Sequence, residues 1–314
     1  MTYGIETDSL RKKYGDIVAV NNLDLKVKEN IIYGLVGPDG AGKTTTMRML
    51  CSLIDSDGGS GKIGGLDIKS DAEGIKDSIG YMPQKFSLYG DLTVMENLIF
   101  YSEIYRVSKK ERKKKIEQLL EFSNLTDHSY KLADQLSGGM KQKLALSCNM
   151  IHTPKYLLLD EPTIGVDPVA RRELWKILFS LKQDGVTIFV STPYMDEAER
   201  CDEIGLMHNG RIIKNDTPAN IMEEFDKPLY RLATNNNYIA RDLILDRPYI
   251  EDAYLVGEYI HIVLHDMESS SNYDEFESYL KENDVEIVSI DKINPSLEDV
   301  FVNTVKTHDK EEAI

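Results

Sequence analysis

An apolar run, Tyr156-Leu157-Leu158-Leu159, ends in two carboxylates, Asp160 and Glu161. Phosphoryl transfer needs one acid to hold Mg2+ and another group to orient the attacking water. Asp160 suits the first task and Glu161 the second. Such a pair says little by itself, because strands often end in acidic residues. Its meaning comes from a segment far upstream, Gly37-Pro38-Asp39-Gly40-Ala41-Gly42-Lys43-Thr44-Thr45, which fits the phosphate-binding pattern GxxxxGK[ST]. The glycines let backbone N–H groups turn inward around phosphate oxygens, and a following helix N-terminus adds positive potential. Lys43 is expected to reach the β- and γ-phosphates, and the Thr44 hydroxyl to help hold Mg2+. Between the two segments lies Gln135-Leu136-Ser137-Gly138-Gly139-Met140. Ser-Gly-Gly at a helix start offers a capping hydroxyl, free N–H groups and no side chains in the way, which suits an anion. An ordinary capped helix has the same local sequence.

Regular elements must bring these residues together. The stretch Tyr3–Val27 alternates in short runs and predicts antiparallel strands. The continuous apolar run Ile31–Val36 predicts a strand buried on both faces, directly before the glycine-rich turn. Thr44–Leu53 reads as a helix. Within residues 91–150, Thr93–Tyr105, Lys109–Phe122 and Gly139–Met150 carry apolar residues at three- and four-residue spacing. Tyr156–Leu159 and Val186–Val190 read as buried strands separated by a helix over Ala170–Gln183. Strand, helix and strand in alternation predict a parallel sheet with helices on its faces. After Asp216-Thr217-Pro218 the texture changes. Leu229–Thr234, Ile250–Val256, Tyr259–His265 and Val285–Ile290 are strand-like, while Tyr238–Leu245 and Asp274–Asn283 are helix-like. That order, βαββαβ, predicts a small α+β, ferredoxin-like unit closed by a short helix at Pro295–Val305.

Composition narrows the function classes. No stretch approaches the ~18 consecutive apolar residues of a membrane span. The N-terminus, MTYGIETDSLRKKYG, lacks the apolar core of a secretory signal, so a cytoplasmic protein is expected. Cys51, Cys148 and Cys201 are scattered and odd in number, against a disulfide framework or a zinc site, and buried reduced thiols are expected. Of the net charge of −16, residues 217–314 carry −14, from 22 acidic and 8 basic residues. An acidic domain is a poor ligand for nucleic acid or anionic lipid, so neither is expected as a partner. The basic run Lys109–Lys115 reads as a solvated helix face.

The phosphate loop, LSGGMKQK and LLLDEPTIGVDP, in this order and spacing, resemble the ATP-binding cassette ATPases of ABC transporters over roughly residues 3–216. The resemblance implies a P-loop NTPase α/β core (residues 1–216) with an antiparallel β subdomain and a helical subdomain inserted at about 91–150. An acidic accessory domain, residues 217–314, would follow. The resemblance also implies ATP and Mg2+ as ligands and two cassettes joined head to tail, here as a homodimer. Each ATP would lie between one subunit's phosphate loop and the other's Ser137-Gly138-Gly139. Tyr14, in KKYGDIVAV, matches the aromatic residue that stacks on adenine. Gln84, in YMPQKFSLYG, matches a glutamine that meets Mg2+ and the γ-phosphate and faces the membrane subunit, with the region Gln84–Asp91 as the contact. Asp167, in GVDP, matches a loop that crosses the dimer interface. TIGVDPVARRELW and PSLEDVF resemble the subgroup serving exporters with separately encoded ABC-2-type permeases. The chain would then sit at the inner face of the cell membrane without inserting. One position departs from the family: a histidine is usual after the last core strand, where this chain has Pro193. Proline cannot donate a side-chain hydrogen bond to the γ-phosphate, which admits a catalytically weakened regulatory cassette. A non-transport ATPase of ribosomes or DNA usually carries two cassettes in one chain, whereas a single phosphate loop and a single LSGG stand here.

Overall fold

A computed structural model describes residues 2–85, 88–264 and 271–312. The chain opens on an antiparallel layer. β1 (Tyr3–Tyr14) and β2 (Ile17–Lys28) form a hairpin whose inward residues Ile5, Leu10, Val20, Leu23, Leu25 and Val27 are buried. β3 (Ile32–Val36) follows, every residue buried, and leads through the glycine-rich loop into α1 (Lys43–Leu50). β4 (Gly58–Ile63) and β5 (Leu66–Asp67) extend the antiparallel sheet to the order β2-β1-β4-β5. Neither was legible beforehand, since Gly58, Gly59 and Gly61 leave β4 little strand propensity of its own. Pairing with β1 holds it in place.

After α2 (Ala72–Ser78) and β6 (Ile79–Met82) comes a helical insertion. It comprises α3 (Val94–Ile104), α4 (Lys109–Phe122) and α5 (Gly138–Met150). Each begins at a hydroxyl cap: Thr93 in a capping box with Glu96, then Ser108, then Ser137. The basic run forms the first turns of α4, where Arg112 pairs with Glu103 and Lys113 with Glu117. β7 (Tyr156–Asp160), α6 (Pro168–Gln183), β8 (Thr187–Thr192), α7 (Met195–Ala198), β9 (Glu203–His208) and β10 (Arg211–Asp216) complete a six-stranded sheet, ordered β10-β9-β3-β8-β7-β6. Its pairings are parallel except β10 on β9. Tyr33 and Phe189 stack inside it at 5.3 Å, in one cluster with Leu10, Leu25, Met47, Leu50 and Leu158. That cluster joins the two sheets through α1. Burial of each such aliphatic side chain contributes about 1.5–3 kcal/mol. Cys51, Cys148 and Cys201 are buried and unpaired, and burial pushes all three thiols up, away from reactivity.

The chain divides into two compact units between Pro218 and Ala219, where the change in texture placed the boundary after residue 216. α8 (Pro218–Glu223) spans that point. The second unit comprises β11 (Leu229–Thr234), α9 (Asn237–Leu245), β12 (Ile250–Val256), β13 (Tyr259–Leu264), α10 (Ser271–Glu282), β14 (Ile287–Lys292) and α11 (Leu297–Glu312). His265, expected to end the third strand, lies outside the described residues. The sheet order is β12-β13-β11-β14, antiparallel throughout, so β11 and β12 enclose β13 in a ferredoxin-like split βαβ. Leu232, Ile260 and Ile262 pack with Ala240, Ile244, Phe276 and Leu280.

The closing helix is sixteen residues, not the short one expected over Pro295–Val305. Its last turns are mostly polar, so no apolar period announced them. Its start is anchored by Asp299, wholly buried. Ser296 donates from N and Oγ to Asp299 Oδ2 at 2.8 and 2.6 Å, Tyr254 donates to Oδ1 at 2.9 Å, and His261 Nδ1 lies 2.5 Å from Oδ1. Burial alone would push this carboxyl up, but the His261 imidazole and the Ser296 bonds outweigh it and hold it below the ordinary aspartate value. Asp299→Ala should therefore lower stability by about 2–3 kcal/mol, through the lost cap and the stranded partners. Urea titration of the full chain measures this. Because the folded value lies below the unfolded one, the carboxylate's contribution is complete at neutral pH. The gap between parent and variant should narrow as the pH falls beneath the ordinary aspartate range.

Candidate nucleotide site

The strand order brings three loops to the carboxyl end of the parallel sheet, where open α/β sheets bind ligands. Val36 of β3 is paired with Thr192 of β8, and Asp160 of β7 with Ser191 of β8. The loop after β3 therefore faces the segments after β7 and β8. Pro38, Asp39 and Gly40 form its exposed tip, Gly37 and Ala41 are buried beneath it, and Thr45 is half-buried in α1. Gly42 caps α1 at a φ of 108°, and a Cβ there would lie 2.3 Å from the Ala19 carbonyl oxygen, so only glycine fits. Lys43, 4% exposed, folds back over the loop and donates from Nζ to the Gly37 and Pro38 carbonyls at 2.8 and 2.9 Å.

The same ammonium lies 3.1 Å from Glu161 Oε1, and Glu161 is equally buried. Gln84 Nε2 donates to the other oxygen, Glu161 Oε2, at 2.6 Å. Glu161 takes a φ of 50°, a left-handed conformation that costs a residue with a side chain about 1–3 kcal/mol. Ser191 holds it there: Glu161 N donates to Ser191 Oγ at 3.0 Å and to the Ser191 carbonyl at 3.2 Å. The Ser191 hydroxyl in turn donates to Asp160 Oδ1 at 2.7 Å, and Thr44 Oγ1 donates to the same oxygen at 3.1 Å. Both hydrogen bonds fall on Oδ1, and Asp160 Oδ2 is buried with no partner. Lys43, Thr44, Gln84, Asp160 and Glu161 thus form one contiguous cluster.

The other residues singled out by sequence stand outside it. Ser137 caps α5 by accepting from Met140 N at 3.4 Å. A Cβ on Gly139 would lie 2.3 Å from that of Ala170, so α5 and α6 touch at their first turns. Asp167 caps α6 by accepting from Val169 N and Ala170 N, both at 3.0 Å. Tyr14, 47% exposed, ends β1 with the Lys12 ammonium 5.6 Å from its ring centre. Of the segment Gln84–Asp91, residues 86 and 87 lie outside the described residues. Pro193 follows β8 directly, half-buried between Thr192 and Tyr194. Sequence reasoning missed Ser191. The signal was present in its place: a hydroxyl one residue beyond the apolar run Val186–Val190.

A parallel sheet with a phosphate loop after one strand and paired carboxylates after the next strand but one defines a P-loop nucleoside triphosphatase. The added antiparallel sheet and helical insertion narrow that class further. The family model described as ABC transporter matches residues 20–164, which include the phosphate loop, LSGGMKQK and the Asp160-Glu161 pair. A probable multidrug ABC transporter ATP-binding protein of Escherichia coli K12, YbhF, is 39% identical over 306 residues, 95% of this chain and 51% of the relative. The chain therefore spans about half the length of that relative. The Nod factor export ATP-binding protein I of Burkholderia orbicola is 40% identical over 70% of this chain and 72% of its own length. A solved dimeric cassette in a post-hydrolysis state, bound to ADP and Pi, covers 68% of this chain at 26% identity with a TM-score of 0.62. The chain belongs to the ATP-binding proteins of ABC transporters. Among the described residues no helix is long and apolar enough to cross a membrane.

Proposed function

We propose that this chain binds MgATP, hydrolyses it, and uses the cycle to drive an export permease of the ABC-2 type carried on a separate polypeptide. The observation that supports this best is the contiguous cluster of Lys43, Thr44, Gln84, Asp160 and Glu161 at the sheet's carboxyl end. The orphaned Asp160 Oδ2, the Thr44 hydroxyl and the Gln84 amide oxygen are hard oxygen donors and fit Mg2+. When bound, that ion would neutralise charge on the β- and γ-phosphate oxygens. Lys43 and the loop amides from Gly37 to Thr45 would bind the phosphates. Glu161 would hold the attacking water, and Tyr14 would stack on adenine. Ser137, Gly138 and Gly139 would complete the second subunit's site in a homodimer, and their placement outside the cluster supports that division. The segment Gln84–Asp91 would carry closure to the permease at the inner face of the membrane. The names of the relatives, multidrug and Nod factor export, support the exporter reading.

Pro193 supports a second reading, a slow regulatory cassette, and one experiment separates the two. Removing one donor to a transferring group costs about 10²–10³ in rate when nothing replaces it. The full chain should show slow turnover that depends on magnesium and stops on chelation. Pro193→His should raise kcat with little change in KM, the mark of an interaction made mainly in the transition state. If the parent is brisk and Pro193→His leaves kcat unchanged, another group supplies the contact and the regulatory reading is lost.

A further inference from the structure

Beside the cluster lies a second buried network that none of the roles above uses. Glu197, on α7, is completely buried. Its Oε2 accepts from Thr163 Oγ1 and from Thr192 Oγ1, both at 2.9 Å. Its Oε1 faces Arg171 Nε at 3.3 Å as an ion pair, out of line for a hydrogen bond. Arg171 also lies 4.5 Å above the Tyr194 ring, and Tyr194 N donates to Thr192 Oγ1 at 3.1 Å. The contacts join three segments through Glu197. Thr163 stands two residues past Glu161, Thr192 and Tyr194 flank Pro193, and Arg171 lies in the first turn of α6, just past its Asp167 cap.

An ion buried so completely costs several kcal/mol of desolvation unless partners offset it, and hydroxyls with one misaligned guanidinium do so only in part. An apolar residue would fill that space with no such cost. What the carboxylate adds is geometry: a single oxygen ties the loop after β7 to the last residue of β8, directly before Pro193. A 1 Å displacement of a reacting group can lower a rate by about 10².

We propose that Glu197 is a positioning residue for hydrolysis, holding the loop that begins at Glu161 in register with the loop that carries Pro193. This rests on the reading of Glu161 as the group that orients water. The test uses the full chain, with kcat and KM for ATP, Kd for a fluorescent ATP analogue, and Tm. Thr163→Val and Thr192→Val are nearly isosteric and each removes one arm. Each should lower kcat on the order of tenfold, with KM and Kd within about twofold of the parent. Because both arms end on one oxygen, the double variant should lose little more than the worse single. Glu197→Ala should fall further, and Glu197→Gln, which keeps an acceptor for both threonines, should recover part of the rate. Additive losses in the double variant would overturn the proposal. So would a lowered Tm with kcat intact, or a parallel decline of kcat and affinity. Glu161→Gln in the same assay tests the foundation separately: if turnover survives it, the role of Glu161 fails, and that of Glu197 with it.

Discussion

Lys43→Ala should abolish measurable ATP binding. Hydrogen bonds to charged groups contribute about 1.5–3 kcal/mol each, and Lys43 is the buried cation of the phosphate loop. Losing two such bonds weakens Kd by on the order of 10²–10⁴. The substitution has a second consequence that the geometry makes visible. Glu161, 3.1 Å from the ammonium and equally buried, would be left without its cation. Breaking one side of a buried pair costs about 3–5 kcal/mol, so the variant should also be markedly less stable. The double variant Lys43→Ala/Glu161→Gln separates the two effects. It should regain much of the lost Tm while still failing to bind ATP in isothermal titration. If Lys43→Ala hydrolyses ATP at the parental rate, Lys43 does not hold the phosphates.

Glu161→Gln should nearly stop turnover while leaving ATP bound. A positioned general base contributes about 10²–10⁴ in rate. Glutamine keeps an oxygen for the Gln84 amide, so the site should retain its shape while losing the carboxylate. With hydrolysis blocked, ATP should hold two chains together, visible as an ATP-dependent dimer on size exclusion. Adding Ser137→Arg places a long cation at the exposed cap of α5, where the second subunit's nucleotide would sit, and should remove that dimer. A double variant that still dimerises with ATP would count against the head-to-tail arrangement.

Much of this site was written in local chemistry. The phosphate loop and the Asp160-Glu161 pair each follow an apolar run that could only be a buried strand, so pattern and context agreed. Ser191 was not legible, because a lone serine acquires meaning only through register. It matters because β7 and β8 are neighbours and Asp160 lies opposite it. Glu197 was hidden for a similar reason: in Tyr194-Met195-Asp196-Glu197-Ala198 it reads as one more surface acid, yet it is the buried one. Strand β4, with three glycines among six residues, carries no pattern apart from its pairing with β1. The order of elements in the tail was readable from alternation. The sheet order β12-β13-β11-β14 was not, because alternation says nothing about which strands become neighbours.

The placement of β3 also bears on how the chain is made. Its two neighbours in the sheet, β8 and β9, are among the last strands of the cassette to leave the ribosome. The β1–β2 hairpin can pair at once, but the strand that launches the phosphate loop has both edges open until Thr192 and Leu206 have emerged. Contacts so distant along the chain close slowly, and an apolar strand with open edges is prone to join another chain meanwhile. A nascent polypeptide stalled after α6 would hold every residue of the phosphate loop and both carboxylates. It would lack the strand that lies between them, and would present to the cell a sticky edge instead of a nucleotide site.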